Sequence, residues 1–293
     1  MKIFSMIRTI ILRGCTSRLA AIAMFAALLS VTPFHAALAA TSPALGSAGS
    51  FAVLAGSAVT CTDSIVFGDV GVWPGTAITQ TNCTINGTVH PGDLVAKQAY
   101  LDFLSAYNAL ALKSCDYVIS GDLGGVTLYQ PGVYCVDAAS TTTGGTLTLS
   151  GPANGVWIFK IGTSGTGALT GTNFSVVMEG GGTPCNVYWW VAQGATMTDS
   201  NFLGTILAGA AITITRGTFN GDALAMAAVT MTNTTVNGCV QTSPPAKLRC
   251  NQGVGNGPEG CDPGNSNQGD LTRSNDELGG TPGNPGRKGG NGK

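Results

Sequence analysis

The side chains that could perform chemistry are few, and their spacing argues against catalysis. After residue 40 there is one histidine, His90, and the acids Asp63, Asp69, Asp122, Asp199 and Asp222 mostly stand beside glycine or in turn-like stretches. Glycoside hydrolysis needs two carboxylates at a set separation. Asp69 and Asp222 instead follow glycine at equivalent points of a repeat, the signature of turn capping and of a structural ladder. There is no C-x-x-C pair to hold zinc with His90. Asp262, Asp270, Asp276 and Glu277 fit neither an EF-hand loop nor a calcium-binding nonapeptide. The expectation is a protein without catalytic residues, metal or cofactor.

What does recur is threonine. Between 195 and 238 the residue types return every 17 positions: Thr196, Thr213 and Thr230 form one column, and Thr198, Thr215 and Thr232 a second. Phe202, Phe219 and Val236 make a third, and Gly204, Gly221 and Gly238 a fourth. A short fixed period rich in β-branched residues indicates a β-solenoid with one coil per repeat. Side chains alternate along a strand, so Ile212, Ile214, Val229, Met231, Ala195 and Met197 line the interior and the threonines face out. Threonines two apart lie roughly 6.7 Å apart and coils stack at about 4.8 Å, which makes a grid of methyl and hydroxyl groups stiffened by β-branching. Such a nearly uncharged grid can order water into a lattice. Threonine is also an ordinary residue for the solvent face of a strand, so periodicity alone does not name a ligand. After each T-x-T comes T-x-N-G, with Thr218 and Thr235; it reads as a corner ladder, with a second ligand face as the alternative.

These columns need elements to carry them. Residues 49–90 hold two earlier coils, in which Thr60, Thr62, Thr79 and Thr81 repeat the pattern at a spacing of 19. From 93 to 114, Asp93 serves as N-cap, and Leu94, Leu101, Leu104 and Ala111 recur with Tyr100, Phe103, Tyr107 and Leu110 at helical steps. This helix is expected to pack along the solenoid. Less regular coils fill 121–185, and Trp189 and Trp190 occupy successive strand positions, one inward and one outward. The outward ring suits a sugar platform or, more commonly, packing.

At the start, Lys2, Arg8, Arg13 and Arg18 precede an apolar run from Leu19 to Val31, and Ala37-Leu38-Ala39 has the small-x-small form of a signal-peptidase site, the pattern of a cleaved export signal over 1–40. The run is shorter than a membrane span. The domain is assigned to 41–245. Residues 246–293, rich in Gly, Asn and Pro, are expected to be a disordered tail. Without the leader, ten cations oppose fifteen acids, so the charge moves from −1 to −5. That balance excludes a nucleic-acid footprint and a polybasic membrane anchor. Eight cysteines remain, an even number that implies disulfides in an oxidising compartment, with 105 possible connectivities. Cys250 and Cys261 are expected to pair locally.

The segments LGSAGSFAVLAGSAVT (45–60), NGTVHPGD (86–93), GDLGGVTL (121–128), PGVYC (131–135), GVWIFKIG (155–162), CNVYWWV (185–191) and the closing ladder resemble the ice-binding proteins of the DUF3494 type. The resemblance implies an all-β chain: an irregular right-handed β-helix of triangular section with one long helix packed alongside. It also implies an ice-binding face with motifs of the type T-A/G-x-T/N. Here these are Thr198-Asp199-Ser200-Asn201, Thr215-Arg216-Gly217-Thr218 and Thr232-Asn233-Thr234-Thr235, in which Asp, Arg and Asn replace the small second residue. The expected site is Thr196, Thr198, Thr213, Thr215, Thr218, Thr230, Thr232 and Thr235, and the expected partner is an ice surface met by a secreted monomer. The alternative is a cell-surface or matrix adhesion module attached through the tail.

Overall fold

Each regular coil is three short β segments joined by three breaks in the in–out alternation. In one coil these are Thr205–Ala208, then the two halves of Ile212–Asn220, which a residue of positive φ, Arg216, divides. The computed structural model describes residues 40–239 apart from Tyr129; the expected export signal and the tail with Cys250 and Cys261 lie outside the described residues. All strand pairs are parallel, in a nine-stranded and a twelve-stranded sheet, and the twelve-stranded sheet is folded along the positive-φ corner into two sides. Nearly continuous burial of Val187–Val191 and Thr205–Ala208 contrasts with strict alternation in Ile212–Thr215, because the first sheet is covered on both faces and the second on one.

The spatial order of coils differs from the chain order. Strand Val229–Asn237 pairs with Ala58–Thr62, which in turn pairs with Ala77–Thr81 at the edge. Val89–Pro91 and Tyr117–Val118 are opposite edges of the nine-stranded sheet. A chain that must leave one end and resume at the other needs a long rigid connection, and the helix Leu94–Ala111 supplies about 27 Å of it.

That helix begins where Asp93 Oδ1 accepts from the Ala96 N–H at 2.8 Å, while His90 Nδ1 lies 2.7 Å from Asp93 Oδ2. Its end is capped from the sheet: Lys160 Nζ, buried, donates to the Ala111 carbonyl at 2.9 Å and to that of Lys113. The buried stripe corrects the sequence reading. Tyr100, Phe103, Tyr107 and Leu110 are buried as expected, but Leu94 and Leu101 are exposed and Ala111 is exposed too. Ala96, Ala99 and Ala106 take their place, because small residues let the helix axis approach a sheet already carrying Tyr188, Trp190 and Ile158.

Two apolar layers result. Inside the coils, Tyr134, Phe159, Trp189, Phe202 and Phe219 form a ladder of rings with centroids 4.0–5.6 Å apart. Between helix and sheet lie Phe51, Leu54, Tyr188, Trp190, Leu207 and Leu224. The disulfides are Cys61–Cys83, Cys115–Cys135 and Cys185–Cys239. The first ties adjacent coils, the second ties the chain emerging from the helix to the sheet, and the third ties the chain after Val229–Asn237 back to the segment before Val187–Val191.

Candidate functional site

The threonine columns run further than the 17-residue period. One column is Thr141, Thr170, Thr196, Thr213, Thr230, Thr60 and Thr79, all in direct register. The second is Thr143, Thr172, Thr198, Thr215, Thr232, Thr62 and Thr81. Every one of these residues is exposed or half-buried. The residues between and before them, including Leu169, Met197, Ile212, Ile214, Val229, Met231, Val59 and Cys61, are buried, except in the edge coil, where Ile78 is half-buried and Gln80 exposed. The pairing shows no register shift along this facet, so six rung spacings of about 4.8 Å give an array roughly 29 Å long. Its columns stand about 6.7 Å apart. Thr141, Thr143, Thr170 and Thr172 were not among the expected site residues; they belong to coils of different length.

A second feature borders the array. The residue after each second-column threonine has positive φ: Gly144, Asn173, Asp199, Arg216, Asn233, Asp63 and Asn82. Asn, Asp and Gly suit this left-handed region; an arginine there is uncommon. Where the next residue is Ser64, Ser200 or Thr234 it is buried, and its side chain knits the rungs. Ser200 Oγ accepts from Phe174 N–H at 3.2 Å and Ser64 Oγ accepts from Thr234 N–H at 3.1 Å, while Thr234 donates to the Gly217 carbonyl at 3.0 Å. This corner makes the threonine facet stiff at its border.

The corner also divides the expected site. Thr196, Thr198, Thr213, Thr215, Thr230 and Thr232 share the facet, whereas Thr218 and Thr235 lie past the corner on the next side, in register with Asn201 and Ile65. The T-x-N-G segment is therefore a strand rather than a corner. Thr218 Oγ1 donates to Asn201 Oδ1 and Asn237 Nδ2 to Asn220 Oδ1, both at 2.8 Å. Its exposed members include Ile65 and Phe67, so this side is less uniform than the threonine facet. The turn belongs to the glycine that follows: a Cβ at Gly221, where φ is 155°, would stand 2.2 Å from the Gly204 carbonyl oxygen.

Asp63, Asp69, Asp122, Asp199 and Asp222 each have a structural partner, while Asp262, Asp270, Asp276 and Glu277 lie outside the described residues. Asp63 Oδ1 accepts from Asn82 Nδ2, Asp69 Oδ1 from Thr88 N–H and Asp122 Oδ1 from Gly124 N–H. Asp199 receives both Nε and Nη2 of Arg216, the latter at 2.7 Å, and this hydrogen-bonded guanidinium holds its carboxyl below the usual range. Asp222 is buried, accepting from Cys239 N–H at 2.7 Å and Thr205 Oγ1 at 3.0 Å; burial pushes its pKa up to about 7. Among the described residues no group of three or more His, Cys, Asp or Glu is placed to hold a metal, and no helix is long and apolar enough to cross a membrane. Trp189 points into the coil interior, while Trp190 packs against Tyr107 with centroids 5.2 Å apart, which removes it as an exposed sugar platform.

A parallel β-helix with one facet of in-register threonines and a helix against another side is the class these observations define. The chain belongs to the ice-binding-like family, whose sequence profile matches residues 53–237. It is 38% identical over 200 residues to an ice-binding protein of Nostoc sp. (strain HG1), which spans 65% of this chain and 72% of that one. Ice-binding protein K3-B1 of Typhula ishikariensis is 33% identical over 195 residues, 58% of this chain and 78% of its own. The crystal structure of the ice-binding protein from the Antarctic ascomycete Antarctomyces psychrotrophicus matches with a TM-score of 0.64 at 34% identity, covering 69% of this chain and 100% of that one.

Proposed function

We propose that this protein is exported and adsorbs to ice through the facet built on the two threonine columns. The observation that carries the reading is the unbroken register of seven threonines in each column, from 141–143 to 79–81. Hydroxyls and methyls at about 4.8 by 6.7 Å, each on a β-branched side chain, form a surface whose own ordering entropy is spent when the protein folds. Water organised over it does not have to displace a tightly hydrated charge. The activity is surface adsorption, with no bond made or broken, and it blocks growth or recrystallisation of the crystal. Thr218 and Thr235 flank the facet and do not belong to its plane of columns. Family membership and the three disulfides, which suit an oxidising compartment, support the reading.

The test is ice shaping and recrystallisation inhibition by the purified protein and by Thr213→Tyr. Thr213 is the fourth of seven rungs, and its side chain faces out. A ring there stands above the array without entering the core. Loss of activity at an unchanged melting temperature is expected. A folded but inactive wild type, or a Thr213→Tyr variant as active as wild type, contradicts the proposal.

A further inference from the structure

The corner beside the threonine facet holds one long cation. Arg216 is exposed, has φ of 56°, and adjoins Thr215 on its own strand; Thr198 and Thr232 flank that threonine on the rungs to either side. Its stem is longer than the spacing of one rung, about 4.8 Å. Unrestrained, the guanidinium can swing over any of these three threonines and bring a tightly held hydration shell with it. It is not unrestrained. Nε and Nη2 engage the two carboxylate oxygens of Asp199, one rung away on the corner column, in a two-pronged contact.

Neither backbone preference nor folding stability accounts for this arrangement. At positive φ an arginine is less favourable than the Asn or Gly found at Asn173, Asn233 and Gly144 in the same column. An exposed ion pair contributes little to stability. What the pair does achieve is geometric: it lays the guanidinium along the corner and cancels its charge beside an otherwise uncharged array.

We infer that Asp199 is a positioning residue for the threonine facet, acting by holding Arg216 along the corner and off the grid. The inference rests on the ice-adsorption reading. It makes the two residues unequal, since Arg216 is harmful when released and Asp199 matters only while Arg216 is present.

The experiment is a double-substitution cycle on the full chain, using Asp199→Asn, Arg216→Asn and both together. Asn suits positive φ, so the corner is kept, and the double variant extends the asparagine already present at 173 and 233. Ice-growth arrest and melting temperature are measured for all four proteins. Asp199→Asn is expected to lose activity about threefold or more, with Arg216→Asn and the double variant at or above wild type and all four melting alike. A purely structural role for Asp199 predicts no recovery in the double variant. Wild-type activity retained by Asp199→Asn overturns the inference while leaving the ice reading intact, as does a double variant as weak as Asp199→Asn. An inactive, folded wild type overturns both.

Discussion

Asp222 makes the stability of this β-helix depend on pH in a direction opposite to that of most carboxylates. Its side chain is 1% exposed and accepts from Cys239 N–H and Thr205 Oγ1, joining three consecutive coils. Burial raises its pKa from 3.8 to about 7, against the smaller lowering effects of those two hydrogen bonds. A group whose folded pKa lies above its unfolded value stabilises the fold fully below the unfolded pKa, and that stability is lost as pH rises through the folded one. Between pH 4 and pH 7 the unfolded chain releases this proton while the folded chain keeps it. At about 1.4 kcal/mol per unit, the loss by pH 7 is about 4 kcal/mol. Asp93 and Asp199 have lowered pKa values, so their contributions are lost only as the pH falls through the acidic range, outside this window. The assay is denaturant unfolding with disulfides intact at pH 4 to 8, for wild type and Asp222→Asn. The asparagine reproduces the neutral acid: Oδ1 accepts from Cys239 N–H and Nδ2 reaches Thr205 Oγ1. Wild type should lose stability across the window, and the variant should be nearly flat. Parallel curves for the two proteins, or a wild type that gains stability from pH 4 to 7, refute the reasoning.

Two further perturbations test the corner and the Cys185–Cys239 bridge. Asn233 holds φ of 51°, a left-handed conformation that asparagine tolerates better than alanine because its short polar side chain bonds locally to the backbone, so Asn233→Ala should cost about 1 kcal/mol, read as a lowered melting temperature. Removing the bridge between Cys185 and Cys239, which are 54 residues apart, by Cys185→Ser with Cys239→Ser should lower unfolding free energy by about 4 kcal/mol from loop-closure entropy.

The repeat was the most legible feature because its period is constant where coils are alike. The 17-residue spacing places Thr196, Thr213 and Thr230 in one column and predicts that Ile212 and Ile214 face inward, as they do. It does not reach Thr170 and Thr141, since the coils carrying them are longer, nor reveal that Thr230 pairs with Thr60. That contact follows from the helix returning the chain to the opposite end, a long-range event with no local signature. Disulfide partners were illegible for the same reason, as Cys185 meets Cys239 only once the coils are stacked. The helix itself was recognised, but its buried face was misjudged. Leucine was given weight that belonged to Ala99 and Ala106, where close approach rather than apolar bulk decides the packing. The corner residues Asp199, Arg216 and Asn233 stood out as departures from the small-residue motif. A positive φ at every rung accounts for Asp199 and Asn233 but not for Arg216, and it is a backbone property that only the folded chain displays.

The central claim is that the threonine facet itself takes up ice. Its most direct measurement is partition of the purified protein into a slowly grown ice front, with Thr213→Tyr run beside it. The account predicts that wild type is enriched in the ice fraction and that Thr213→Tyr stays in the liquid at equal melting temperature. Exclusion of folded wild type from the ice, or equal enrichment of the variant, contradicts it.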